Sequence, residues 1–143
     1  MKNPEQINYI YENLSDYWPK YSERKPEAKI HRKAYMSLIG VMLSAQSQDS
    51  RTAVACDQLF SLARTPEEMI KLTQEQIIEA IKPAGLYNAK SKNILATSKK
   101  LLEEYNGVVP DTPKELMKLP GVGKKSSDIV MRFVFNEPYI AVD

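Results

Sequence analysis

Three stretches of this sequence carry one helix-start signature: Thr65-Pro66-Glu67-Glu68, Thr73-Gln74-Glu75-Gln76 and Thr112-Pro113-Lys114-Glu115. In each, the threonine oxygen can accept from the backbone N–H three residues on. The Glu or Gln at that position can reach back to the threonine's own N–H. The two bonds satisfy donors that the first turn of a helix otherwise leaves without partners. A further start, Asn3-Pro4-Glu5-Gln6, sets an Asn cap before a first-turn proline. No stretch alternates apolar and polar residues long enough to read as a strand. These signals restrict the chain to an all-α fold.

Between the starts, apolar residues recur at helical spacing. Leu38, Ile39, Met42 and Leu43 make one stripe; Val54, Leu59, Phe60 and Leu62 a second; Ile77, Ile78 and Ile81 a third. Ile94, Leu95, Leu101, Leu102 and Tyr105 mark a long helix, and Ile129, Val130, Phe133 and Val134 the last one. The pattern predicts helices over 4–17, 30–45, 48–63, 66–72, 74–81, 87–105, 112–118 and 123–135. Pro83 with Gly85 and Asn106-Gly107 supply the stops. Residues 18–29 read as a linker.

At 143 residues the chain is large enough to bury a core without disulfide staples, and it has none to make, because Cys56 is its one cysteine. A single cysteine rules out a zinc finger or a cysteine-ligated iron–sulfur cluster held by this chain alone. Cys56 lies among apolar helical neighbours and reads as a core thiol. The lone histidine, His31, reads as exposed near a helix start. No apolar run approaches the ~20 residues of a membrane span, and the N-terminus lacks the apolar stretch of a signal peptide. The cytoplasm is therefore the expected compartment. Charge is uneven: residues 82–125 hold nine lysines against four acids, whereas residues 34–81 are net acidic. A basic segment suits a polyanion, although lysines on amphipathic helices also serve simply to solvate an outer face.

The most informative stretch is Leu119-Pro120-Gly121-Val122-Gly123-Lys124-Lys125, set between two helical segments. Gly121 and Gly123 can take positive φ and let a ligand approach the backbone. The turn opens a helix whose first N–H groups prefer an anion, phosphate above all. A helix–hairpin–helix of this kind grips a DNA strand through its phosphates, with Gly121, Val122, Gly123, Lys124 and Ser126 as the candidate DNA-binding set. The spacing fails the Walker A pattern, and the dinucleotide fingerprint lacks its preceding strand. An αα-corner with convenient glycines remains the alternative.

Several motifs in order resemble the endonuclease III family: Leu43-Ser44-Ala45-Gln46-Ser47-Gln48-Asp49, Gly85-Leu86-Tyr87-Asn88-Ala89-Lys90, Asn106-Gly107-Val108-Val109-Pro110, the L-P-G-V-G-x-K turn and Ile140-Ala141-Val142-Asp143. The resemblance runs from about residue 30 to the last residue. It implies a helix–hairpin–helix DNA glycosylase with AP-lyase activity, acting on oxidised pyrimidines in double-stranded DNA at the nucleoid, with no obligate protein partner. It also implies a six-helix barrel domain over 30–143, the motif at about 112–135, and an incomplete second domain over 1–29. Lys125 then corresponds to the family's nucleophile, Asp143 to its catalytic carboxylate, and Gln46 to the residue that fills the gap left by a flipped base.

At a helix start beside Lys124, the Lys125 amine meets the positive end of a helix dipole and a like charge. Both disfavour the ammonium form. The family continues past this aspartate to four cysteines that hold a [4Fe-4S] cluster, so the resemblance implies either a piece of a longer enzyme or a truncated gene product. On that view the helix over 4–17, with Trp18 and its neighbouring tyrosines, lacks its packing partner. Where the family has K-T-A-N, the chain has Lys125-Ser126-Ser127-Asp128, which sets an extra acid near the DNA backbone; Gln48 stands where Thr is frequent. Three readings stay open: a glycosylase/lyase, a helix–hairpin–helix module that binds DNA without effective catalysis, and a helical bundle with no nucleic-acid role.

Overall fold

The computed structural model describes residues 26–135, and the helix expected over 4–17 lies outside them. In chain order the helices are α1 (Pro26–Ser44), α2 (Asp49–Phe60), α3 (Pro66–Met69), α4 (Gln74–Ile81), α5 (Tyr87–Glu104), α6 (Pro113–Leu116) and α7 (Lys124–Val134), with a 3-10 turn over Lys82–Ala84. The described residues contain no strand, as the helix-start signals require. The first helix begins at Pro26, four residues before the expected start, so the end of the expected linker is already helical.

Every residue from Ala34 to Gly40 is buried. A helix enclosed on all sides is a central one, and α1 packs against α2, α5 and α7. Tyr35, Leu38, Ile39 and Leu43 of α1 meet Leu59 and Phe60 of α2, Ile77 and Ile81 of α4, Ile94 and Leu101 of α5, and Val130 and Met131 of α7 in one core. The phenol of Tyr35 sits 2.6 Å from Ser98 Oγ, which itself donates to the Ile94 carbonyl at 2.8 Å. The buried phenol therefore has a partner, as a polar group in such a core requires; its burial pushes the Tyr35 pKa upward. Val54 and Leu62, expected in the α2 stripe, stand 45% and 50% exposed. Thr52, Ala55 and Cys56 fill the buried face of α2 instead.

Of the three expected capping boxes, one is reciprocal. Thr73 Oγ1 accepts from Gln76 N at 3.1 Å, and Gln76 Oε1 accepts from Thr73 N at 2.8 Å. Thr65 and Thr112 cap their helices from the threonine side, accepting from Glu68 N and Glu115 N. Glu68 reaches one residue further back, to Arg64 N. Glu115 is drawn away by the Tyr105 hydroxyl, which donates to it at 2.6 Å, and by Lys118 at 3.1 Å. The Tyr105 contact ties the end of α5 to the helix before the hairpin. The stop at Asn106-Gly107 forms as read: both take positive φ (56° and 78°), and Gly107 N donates back to Leu101 O at 2.8 Å.

Candidate nucleic-acid interface

The turn between α6 and α7 is built from its own sequence. Pro120 cannot continue α6, and Gly121 follows it at φ +80°. Val122 N closes on Leu119 O at 3.1 Å. Proline then positive-φ glycine in the two central places is the composition of a type II turn. Leu119 and Val122 point inward, 2% and 5% exposed, while Gly121 and Gly123 lie at the surface. Val122 thus anchors the hairpin in the core through its side chain.

The two glycines do different things. A Cβ on Gly121 would lie 2.8 to 3.0 Å from Nδ2, Cβ and Cγ of Asn93 on α5, so the fold itself demands a glycine there. Gly123 was expected to share the positive-φ role but does not: its φ is −94° and ψ −174°, an extended backbone open to any residue, and nothing lies within 4 Å of where its Cβ would be. Gly123 occupies the N-cap of α7, without a side-chain cap, and its carbonyl accepts from Ser127 N at 2.9 Å. Helix α5 holds the hairpin from below, Thr97 Oγ1 donating to the Pro120 carbonyl at 2.8 Å.

Lys124, Lys125 and Ser126 form the first turn of α7, with Lys124 exposed and Lys125 and Ser126 half-buried. Asp128, expected to set an extra acid near the DNA backbone, is 3% exposed. Its Oδ2 takes the Lys124 ammonium at 3.1 Å. The i,i+4 spacing brings the two together on one helix face. Asp143 lies outside the described residues.

Gln46 sits in the turn between α1 and α2, exposed, at φ +54°. Leu86, which sequence reasoning did not single out, is its counterpart: 55% exposed, at φ +49°, just before α5. Lys90 joins the two segments that lead into these positions. Its side chain is buried, and Nζ donates to the carbonyls of Leu43 at 2.9 Å and Ala84 at 3.2 Å. The signal for Lys90 was present in the sequence: Lys90, Ile94, Thr97 and Leu101 fall at i, i+4, i+7 and i+11 on one helix face.

Among the described residues no group of His, Cys, Asp or Glu could hold a metal ion. Cys56 is buried in α2, and burial above all, then Asp57, pushes its thiol up to about 12, out of the range of a nucleophile or ligand at neutral pH. One such cysteine does not fit a four-cysteine cluster. No helix among the described residues is long and apolar enough to cross a membrane.

Comparison with known proteins agrees with this geometry. The endonuclease III of Escherichia coli K12 is 44% identical over 106 residues, 74% of this chain and 50% of that protein. That of Bacillus subtilis strain 168 is 36% identical over 143 residues, all of this chain and 64% of that protein. The chain thus spans half to two-thirds of the length of these curated relatives. A solved structure of a trapped endonuclease III–DNA covalent intermediate superposes with a TM-score of 0.72 at 35% identity, covering 100% of this chain and 65% of that one. A thermostable thymine-DNA glycosylase shares the fold, with a TM-score of 0.73 at 24% identity over 97% of this chain and 64% of its own. The family model for HhH-GPD superfamily base excision DNA repair proteins matches residues 39–143, and with a glycine-cornered hairpin opening α7 the chain belongs to that superfamily.

Proposed function

We propose that this chain acts in base-excision repair as a DNA glycosylase and AP lyase on oxidised pyrimidines in double-stranded DNA. The observation that carries the reading is Gly123. Its backbone conformation admits any residue and its Cβ would meet nothing in the protein, so neither backbone strain nor packing accounts for it. A phosphate resting on the N-terminus of α7 does, because a side chain there would stand between the phosphate and the N–H groups of the first turn. The endonuclease III relatives, one of them solved as a covalent complex with DNA, support the same reading.

On this reading the hairpin holds the strand through backbone N–H groups of residues 121 and 123–126, and Lys124 adds charge at the rim. The damaged nucleotide leaves the stack, and Gln46 fills its place. The neutral amine of Lys125, in the first turn of α7, attacks C1′ of the sugar. The bond from C1′ to the base breaks, and the base departs with a proton. The sugar ring then opens: the C1′–O4′ bond breaks, O4′ takes a proton, and the nitrogen lone pair completes the Schiff base at C1′. That Schiff base loses a proton from C2′, and the C3′–O bond breaks, releasing the 3′ phosphate. Asp143 is the proposed carboxylate that stabilises the positive charge growing on the sugar. No step passes through an iron–sulfur cluster, whose cysteines this chain lacks.

The test is strand cleavage of a duplex carrying one thymine glycol. A β-elimination end is the expected product. Lys125→Gln abolishes it and leaves salt-sensitive duplex binding in place. Binding without cleavage by the unaltered chain would favour the DNA-binding module, and absence of both the bundle without a nucleic-acid role.

A further inference from the structure

Lys90 is a charged side chain on the buried face of α5, where its neighbours along the stripe are Ile94 and Leu101. A methionine would fill such a place without the desolvation that an ammonium suffers. What the ammonium adds is two hydrogen bonds to carbonyls far apart in sequence, Leu43 O in the last turn of α1 and Ala84 O at the end of the 3-10 turn, each just ahead of a loop. Leu43 stands three residues before Gln46, and Ala84 two residues before Leu86. Gln46 and Leu86 are two of the three non-glycine residues with positive φ among the described residues; the third, Asn106, ends α5 at its other pole. Positive φ is strained for residues with a side chain, and it persists only where surrounding contacts hold the backbone. Two turns further along α5, Thr97 holds the Pro120 carbonyl of the hairpin. The seven-residue separation puts the two anchor points about 10 Å apart along one rigid helix.

We propose that Lys90 is a positioning residue: by clamping the carbonyls of Leu43 and Ala84 it fixes the loop of Gln46 at a set reach from the hairpin. α5 is then the ruler between the part that grips phosphates and the part that enters the gap. The inference rests on the proposed function of Gln46, and its test separates the two. Lys90→Met, which keeps the length and removes the donors, is compared with the unaltered chain in two assays.

In the free protein, amide hydrogen exchange of residues 44–47 and 85–88 should quicken about tenfold, with residues 122–127 unchanged. In DNA binding, the preference for an abasic duplex over an intact one should fall about tenfold, with intact-duplex affinity unchanged. In a Gln46→Ala background the same substitution should have no further effect on that preference, because Lys90 acts through Gln46. Unchanged loop exchange overturns the clamp, and an equal loss in the Gln46→Ala background overturns its action through Gln46. Faster loop exchange with no abasic preference in the unaltered chain upholds the clamp and overturns the base-excision reading. Should Lys90→Met fail to fold, Lys90→Gln, polar but uncharged and shorter, carries the same two readouts.

Discussion

Replacing each hairpin glycine by alanine should separate folding from DNA binding. At Gly121 the new methyl meets two obstacles. The backbone φ of +80° costs a residue with a Cβ roughly 1–2 kcal/mol. The methyl also falls 2.9 Å from Asn93 Cβ, which is fixed to the α5 backbone and cannot swing aside, and overpacking of this kind costs about 1–3 kcal/mol. Together Gly121→Ala should lose about 2–5 kcal/mol out of a typical total of about 5–15, with a melting temperature lower by at least about 8 °C. Gly123→Ala meets neither obstacle. It exchanges one weak N-cap for a poorer one, at about 0.5–1 kcal/mol. Its methyl nevertheless occupies the space over the first turn of α7, so duplex affinity should fall about tenfold, or ~1.4 kcal/mol. Urea unfolding followed by circular dichroism, with fluorescence anisotropy on a labelled duplex, reads both quantities. Gly121→Ala as stable as the parent, or Gly123→Ala binding duplex as tightly as the parent, would refute the assignment of one glycine to the fold and the other to the ligand.

Three further outcomes follow from single contacts. The hydrogen bond to Glu115, and secondarily burial, push the Tyr105 phenol up to about 12 from 10.0. Since the folded value is the higher, that stabilisation is complete below pH ~10 and lost between ~10 and ~12; wild type should lose its advantage over Tyr105→Phe across that window, as alkaline unfolding titrations would show. Gln46→Gly relieves a strained φ of 54° but loosens the unfolded chain, for a net gain of roughly 0.5–1 kcal/mol in urea unfolding, while abasic-site preference falls. Asp128→Asn removes the acid that holds Lys124 at 3.1 Å, so duplex affinity at low salt should rise about threefold, with a steeper salt dependence; unchanged binding would mean that Lys124 does not face the phosphates.

Local signals read correctly where their physics is local. The starts at Thr65, Thr73 and Thr112 and the stop at Asn106-Gly107 involve neighbours within one or two turns, and the helices form where those residues put them. The Leu119–Lys125 turn was equally legible as a glycine hairpin. Its two glycines differ locally, since only Gly121 follows a proline and takes positive φ, but the clash that makes Gly121 obligatory comes from Asn93, a residue on another helix. The burial of Asp128 was not legible for a similar reason: the buried face of α7 and Lys124 one turn earlier decide its place. The contacts of Lys90 are not legible locally, since its acceptor at Leu43 lies 47 residues away. Glu115 left its capping box because Tyr105, from a different helix, offered a shorter bond at 2.6 Å.

The central claim is that the Lys125 amine forms a bond with the sugar of a damaged nucleotide. Incubating the chain with a duplex containing one abasic site, in the presence of borohydride, reduces any Schiff base to a stable adduct that peptide mass spectrometry can locate. The account predicts one DNA adduct per chain, carried on Lys125 and absent from Lys125→Gln. An adduct on another lysine, or none under conditions in which the duplex is bound, would contradict it.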